Sequence, residues 1–265
     1  MAGWYGPINA PSSGSRYNAL TPSRILDTRV GNGAPTAPMG PGSILELQVA
    51  GRGGVPETGV SAVVLNVTVT QPSAEGFLTA FPTGEGLPVA SNVNFAAGAT
   101  VPNLVIVKVG TGGKVSLYNG VGTVHVLADV AGWYDDGTGP TGARYTPVTP
   151  ARLLDTRVGK GAPTAPIGSG SILELQVTGR GAVPPGGVTA VVLNVTVTQP
   201  SSSGFLTVFP TGENLPVASN LNFTAGQTVA NLVVVKVGAG GKVSFFNAAG
   251  TVEVLADVAG WFDAG

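Results

Sequence analysis

Val60-Ser61-Ala62-Val63-Val64-Leu65-Asn66-Val67-Thr68-Val69-Thr70 decides how this chain is read. In an extended strand, alternate residues fall on opposite faces. Val63, Leu65, Val67 and Val69 then make one apolar face, while Ala62, Val64, Asn66, Thr68 and Thr70 make the other. Val and Thr dominate the stretch, as suits a pleated surface. Because both faces carry buriable groups, the period predicts a central strand.

The same words return downstream. Asn66 to Pro72 recurs as Asn194 to Pro200, 128 residues later, and Arg24 to Arg29 recurs at the same offset as Arg152 to Arg157. Asp129 to Trp133 recurs as Asp257 to Trp261. Pairing residues 17–137 with 145–265 needs no gap, and 30 of the 121 positions differ, so about 75% are identical. So close a duplication gives retention little weight. Many differences sit in turn-like places, such as Glu57/Pro185, Thr58/Gly186, Ala74/Ser202 and Gly86/Asn214, as a fixed β framework would produce.

Within a copy, Ser43 to Val49 also alternates, with Leu45, Leu47 and Val49 on one side. Further strands are expected at about 23–29, 76–82, 89–95, 103–109, 114–119 and 122–133, and Gly112-Gly113-Lys114 reads as a hairpin turn. No window carries a capped helical stripe. The expected fold is all-β, two tandem antiparallel β-sandwich or jelly-roll-like domains, with a closed barrel as the alternative. The expected bounds are 17–134 for the first copy, 135–144 for a linker and 145–265 for the second copy. Ala2-Gly3-Trp4-Tyr5 matches Ala131 to Tyr134 and Ala259 to Phe262, so residues 1–16 read as the tail of a preceding repeat plus a linker.

Composition narrows the function. Charged residues are 10%, the net charge is −1, Cys is absent and His125 is the single histidine. A nucleic-acid binder needs a basic face, which this chain lacks. No stretch is long and apolar enough for a membrane span. One His and no Cys leave little for a metal site or a nucleophilic triad, so no cofactor is expected.

The phrases Pro150 to Arg157, Val191 to Pro200, Gly204 to Thr207, Ala218 to Phe223, Val235 to Gly238 and Ala256 to Trp261 together resemble a tandem domain of secreted actinobacterial proteins. Such domains are attached to exported hydrolases or strung together in cell-surface proteins. The resemblance implies export, an accessory role and an extracellular or cell-surface setting. It supplies no ligand and no catalytic residue.

Asp27-Thr28-Arg29 is the sharpest constellation. Read as a strand, it puts Asp27 and Arg29 on one side, within reach of a charge-assisted pair, with Asp155 and Arg157 as the counterparts. Arg24 and Arg52 are candidates to join them. The pair either grips a sugar or a carboxylated glycan, or anchors a strand end. Trp133-Tyr134 and Trp261-Phe262 close the two copies; they either stack on sugar faces or pack against protein. Glu46, Glu85 and Asp129 are the candidate catalytic carboxylates, but nothing in their spacing makes a pair converge. His125 is Glu253 in the other copy, so a repeated His-dependent mechanism is excluded.

Two functions are consistent with these residues. The first is a non-catalytic structural or adhesive stalk whose partners are neighbouring repeats. The alternative is a carbohydrate-binding module that holds a partner or a cell near polysaccharide or cell-wall glycan. An enzyme is not expected.

Overall fold

A computed structural model describes residues 14–137 and 142–265. The first copy holds β1 (Tyr17–Asp27), β2 (Ile44–Gln48), β3 (Val60–Thr70), β4 (Gly76–Pro82), β5 (Val93–Phe95), β6 (Val101–Lys108), β7 (Lys114–Asn119) and β8 (His125–Asp135). The second holds β9 (Tyr145–Asp155), β10 (Ser171–Gln176), β11 (Val188–Thr198), β12 (Gly204–Pro210), β13 (Leu221–Phe223), β14 (Val229–Lys236), β15 (Lys242–Asn247) and β16 (Glu253–Asp263).

Each copy is a pair of four-stranded antiparallel sheets, ordered β1-β8-β3-β6 and β2-β7-β4-β5 in the first, and β9-β16-β11-β14 and β10-β15-β12-β13 in the second. Eight strands rolled in this order make a jelly roll. β3 is central, between β8 and β6, as its two-faced pattern predicts. Its inward residues Val63, Leu65, Val67 and Val69 meet Leu47, Leu78, Val115 and Leu117 of the facing sheet in one closed core. The second copy repeats that core with Val191, Leu193, Val195 and Val197 against Leu175, Leu206, Val243 and Phe245. Burying such a side chain contributes about 1.5–3 kcal/mol each. Among the described residues, every strand ladder stays within its own copy. With a closed core apiece, each copy meets the requirements of an independently folding domain.

Three local expectations are corrected. Gly112 and Gly113 do not close a hairpin, because β6 and β7 lie in opposite sheets. Two successive left-handed residues, at φ 70° and 72°, instead swing the chain from one sheet to the other. The strand expected over 89–95 shrinks to β5, since the Asn92 side-chain oxygen takes the Ala80 amide (2.7 Å) in place of a main-chain partner. The strand expected over 23–29 begins earlier, at Tyr17, and stops at Asp27, so Arg29 stands in a turn.

Candidate functional site

The end of β1 turns sharply, and the turn makes the Asp27–Arg29 pair. The Arg29 amide donates to Asp27 Oδ1 (3.0 Å), its Nε donates to the same oxygen (2.9 Å), and its Nη2 donates to Oδ2 (2.7 Å). A strand reading put the two side chains together for a different reason. Arg24 adds a longer contact to Asp27 (3.5 Å) and a two-pronged one to Asp129 (2.8 and 3.0 Å). Arg52 does not reach the aspartates; it donates to Asn32 Oδ1 (2.9 Å), while Asn32 donates to the Arg24 carbonyl (3.2 Å). The hydrogen bond from Arg29 holds the Asp27 carboxyl below the usual carboxylate range. Burial pushes Asp129 the other way, against the pull of Arg24. The second copy repeats the fork, with Arg157 donating to Asp155 at 2.9 and 2.8 Å.

Asp129 is therefore held by arginine, and Arg24 spends its guanidinium on two carboxylates. Charge-assisted forks of this kind lock geometry. Within this cluster the guanidiniums of Arg24 and Arg29 each face a carboxylate.

The aromatic candidates lie elsewhere. β1 carries Tyr17 at its start and Asp27 at its end, paired with Tyr134 and Leu127 of β8, which places the two groups roughly 23 Å from each other. Trp133 and Trp261 are half-buried against the cores of their own copies. Tyr134 and Phe262 enter a row of rings that crosses from one copy to the other. Ring centroids are 5.3 Å apart for Tyr134–Tyr17, 4.4 Å for Tyr17–Phe262 and 5.3 Å for Phe262–Tyr145. Phe262 is 2% exposed and Tyr17 is 1% exposed. The Tyr17 hydroxyl donates to the Ala131 carbonyl (2.9 Å), and full burial raises its pKa above the tyrosine range. Gly132 makes room for the ring, since a Cβ there would stand 2.3 Å from the Tyr17 hydroxyl oxygen.

This row belongs to a seam between the copies. An apolar cluster drawn from both includes Tyr17, Val64 and Ala131 from the first copy and Ala190, Val192, Val234 and Phe262 from the second. A polar collar closes one side. Asn66 donates to the Ser219 carbonyl (2.6 Å) and accepts from Asn231 Nδ2 (3.0 Å), and Asn231 Oδ1 accepts from the Leu104 amide (3.3 Å). The Ser219 amide donates to Asp129, and the Thr21 hydroxyl donates to Glu213. Register explains the grouping. β1, β8 and β3 align Arg24, Asp129 and Asn66 in one row across the outer face of the sheet.

The second copy has the same row without the cover. Asn66 is buried, yet Asn194 is exposed. The side chain of Asp129 is 2% exposed against 25% for Asp257. Ala218, Ser219 and Asn220 are buried, while Ala90 and Ser91 are exposed.

Tyr17, Tyr145, Asn66, Asn231 and Ser219 were not singled out from the sequence. One signal was available, namely Asn66 at the centre of a strand whose polar face is otherwise made of Thr and small or apolar residues. Ala2 to Tyr5, read as a strand end of a preceding repeat, lies outside the described residues.

A cleft of about 440 Å³ opens where the seam meets the arginine cluster, with Pro22, Ser23, Arg24, Asp27, Val30 and Asn32 on one wall and Val217 of the second copy on the other. Among the described residues, no three His, Cys, Asp or Glu side chains gather as a metal site, and no helix is long and apolar enough to cross a membrane.

No protein-family model matches the chain, and no curated protein matches it. Among solved structures it is similar to the N-terminal CBM22-1–CBM22-2 tandem domain of Xyn10C from Paenibacillus barcinonensis. The two share 13% sequence identity with a TM-score of 0.23, over 93% of this chain and 99% of that one.

Proposed function

We propose that the chain is a non-catalytic structural spacer, a rigid element of an extracellular or cell-surface stalk. One observation carries this reading. Tyr134 and Phe262, two of the four candidate platform rings, are spent on the seam that fixes one copy against the other, and Trp133 and Trp261 pack on the cores of their own copies. The charged candidates support the same reading, because Asp27, Asp129, Arg24 and Arg29 satisfy one another. The setting outside the cell rests on the resemblance of the repeat phrases to secreted actinobacterial domains.

The test is retention on insoluble polysaccharide and on isolated cell wall. A spacer washes through at moderate salt. Saturable retention would overturn the reading in favour of a glycan-binding module.

The cleft favours that second reading. It combines Asn32 and the rim of Arg24 and Asp27 with two open apolar side chains, Val30 at 72% and Val217 at 77% exposed. A sugar offers matching hydroxyls and an apolar ring face. On this reading Val30→Ser and Val217→Ser weaken retention while the fold stays intact.

A further inference from the structure

We infer that the outer face of the β1-β8-β3-β6 sheet is a self-recognition surface, that its partner is the same face of another copy of the repeat, and that it saturates at two copies.

The seam is built from equivalent positions on its two sides. Tyr17 and Tyr145, Val64 and Val192, Ala131 and Ala259, Leu104 and Leu232, Ile106 and Val234, and Tyr134 and Phe262 all belong to one cluster. Four of these six pairs are identical residues, and the other two, Ile/Val and Tyr/Phe, keep shape and polarity. Each partner therefore gives up the same apolar face to the pairing.

The polar collar departs from strict two-fold symmetry. Asn66 meets Ser219 and Asn231. The equivalent Asn194 is left exposed, as is Ser91, the counterpart of Ser219. The pair is tilted, closed on one side and open on the other.

The open side looks like an invitation to a third copy, since the second copy bares Asn194 and the first bares Ala90 and Ser91. The apolar part of the surface forbids the same docking. A third copy seated on the second as the second sits on the first needs Val192 and Tyr145 in the roles of Val64 and Tyr17. Both already pack in the seam, and Val192 is 8% exposed. The surface is consumed by one pairing, and longer arrays gain rigidity two copies at a time.

The pairing claim concerns contacts between repeats and gains its meaning in an array from the spacer reading. Glycan retention tests that reading, and the following experiment does not involve glycan, so either can fail alone. A protease site is placed in the full chain within linker residues 138–141 and cut after folding. The halves should co-migrate at the mass of the intact chain at about 100 μM. Isotope-labelled first copy, residues 17–137, added to the cut sample should enter the pairs and displace the second half. Val64→Arg should separate the halves, whereas Glu46→Arg, on the other sheet, should not. The uncut chain should stay monomeric at the same concentration. Halves that part on cutting, labelled copy that never enters a pair, or an uncut chain that builds larger assemblies would each overturn the inference.

Discussion

Asp155→Asn removes a charge while keeping the shape of the side chain, and its effect on stability should depend on pH. Arg157 donates three times to the Asp155 carboxyl, twice from its guanidinium and once from its amide, and Arg152 donates once; these hydrogen bonds hold its pKa at about 2 against the ordinary 3.8. The unfolded chain therefore binds more protons than the folded one between those two values. The stabilisation is complete above pH 3.8 and is lost as pH falls through about 2. Taken whole, a gap of nearly two pH units corresponds to about 2.5 kcal/mol at neutral pH. The Arg157 side chain is 41% exposed and water screens it, so about 1 kcal/mol is the expected contribution. Trp261 packs on the second core and reports on that copy once Trp4 and Trp133 are replaced by Phe. Urea unfolding followed by its fluorescence should place Asp155→Asn about 1 kcal/mol below its parent at pH 7. The two curves should converge as pH is lowered to 2. A difference that stays constant from pH 7 to 2, or none at pH 7, would refute the account of this pair.

The seam makes two sharper comparisons. Asn66→Ala removes the donor to Ser219 and the acceptor for Asn231, and should cost about 1–3 kcal/mol in thermal unfolding. Asn194→Ala, at the exposed equivalent, should stay within about 0.5 kcal/mol of the parent; equal losses at the two positions would rule out the tilted pair. Gly132→Ala puts a methyl group 2.3 Å from the Tyr17 hydroxyl oxygen, so the ring must leave its place. The expected loss is about 1–3 kcal/mol, with a weakened near-ultraviolet tyrosine signal, and an unchanged signal would mean that the ring is not held there.

The period of two in Val60 to Thr70 and the offset of 128 residues made the all-β class and the tandem organisation legible. The Asp27–Arg29 pair was legible too, although a turn makes it and not a strand. The strand order was not. Whether β8 sits beside β1 or beside β7 depends on pairings between distant segments, and no local pattern records that choice. Nor could the sequence separate Asn66 from Asn194. Both lie in the same Asn-Val-Thr-Val-Thr-Gln-Pro phrase, and only the placement of the other copy buries one and exposes the other. The rings at the ends of the copies leave two readings open for the same reason. A terminal Trp-Tyr reads as a sugar platform or as packing, and what decides is a surface 128 residues away.

The entry and exit of each copy stand side by side, with Tyr17 opposite Tyr134 and Tyr145 opposite Phe262. Tension applied through the linkers therefore opens the β1–β8 ladder like a zipper, one rung after another, instead of shearing all its rungs at once. The first rung to part lies inside the seam, so the copies must come away from each other before either begins to unravel. A released copy of 121 residues can lengthen to roughly 400 Å. If the chain serves as the spacer proposed above, it is stiff at low load and yields in steps above it, with a reversible first step because both domains are still folded when the seam opens.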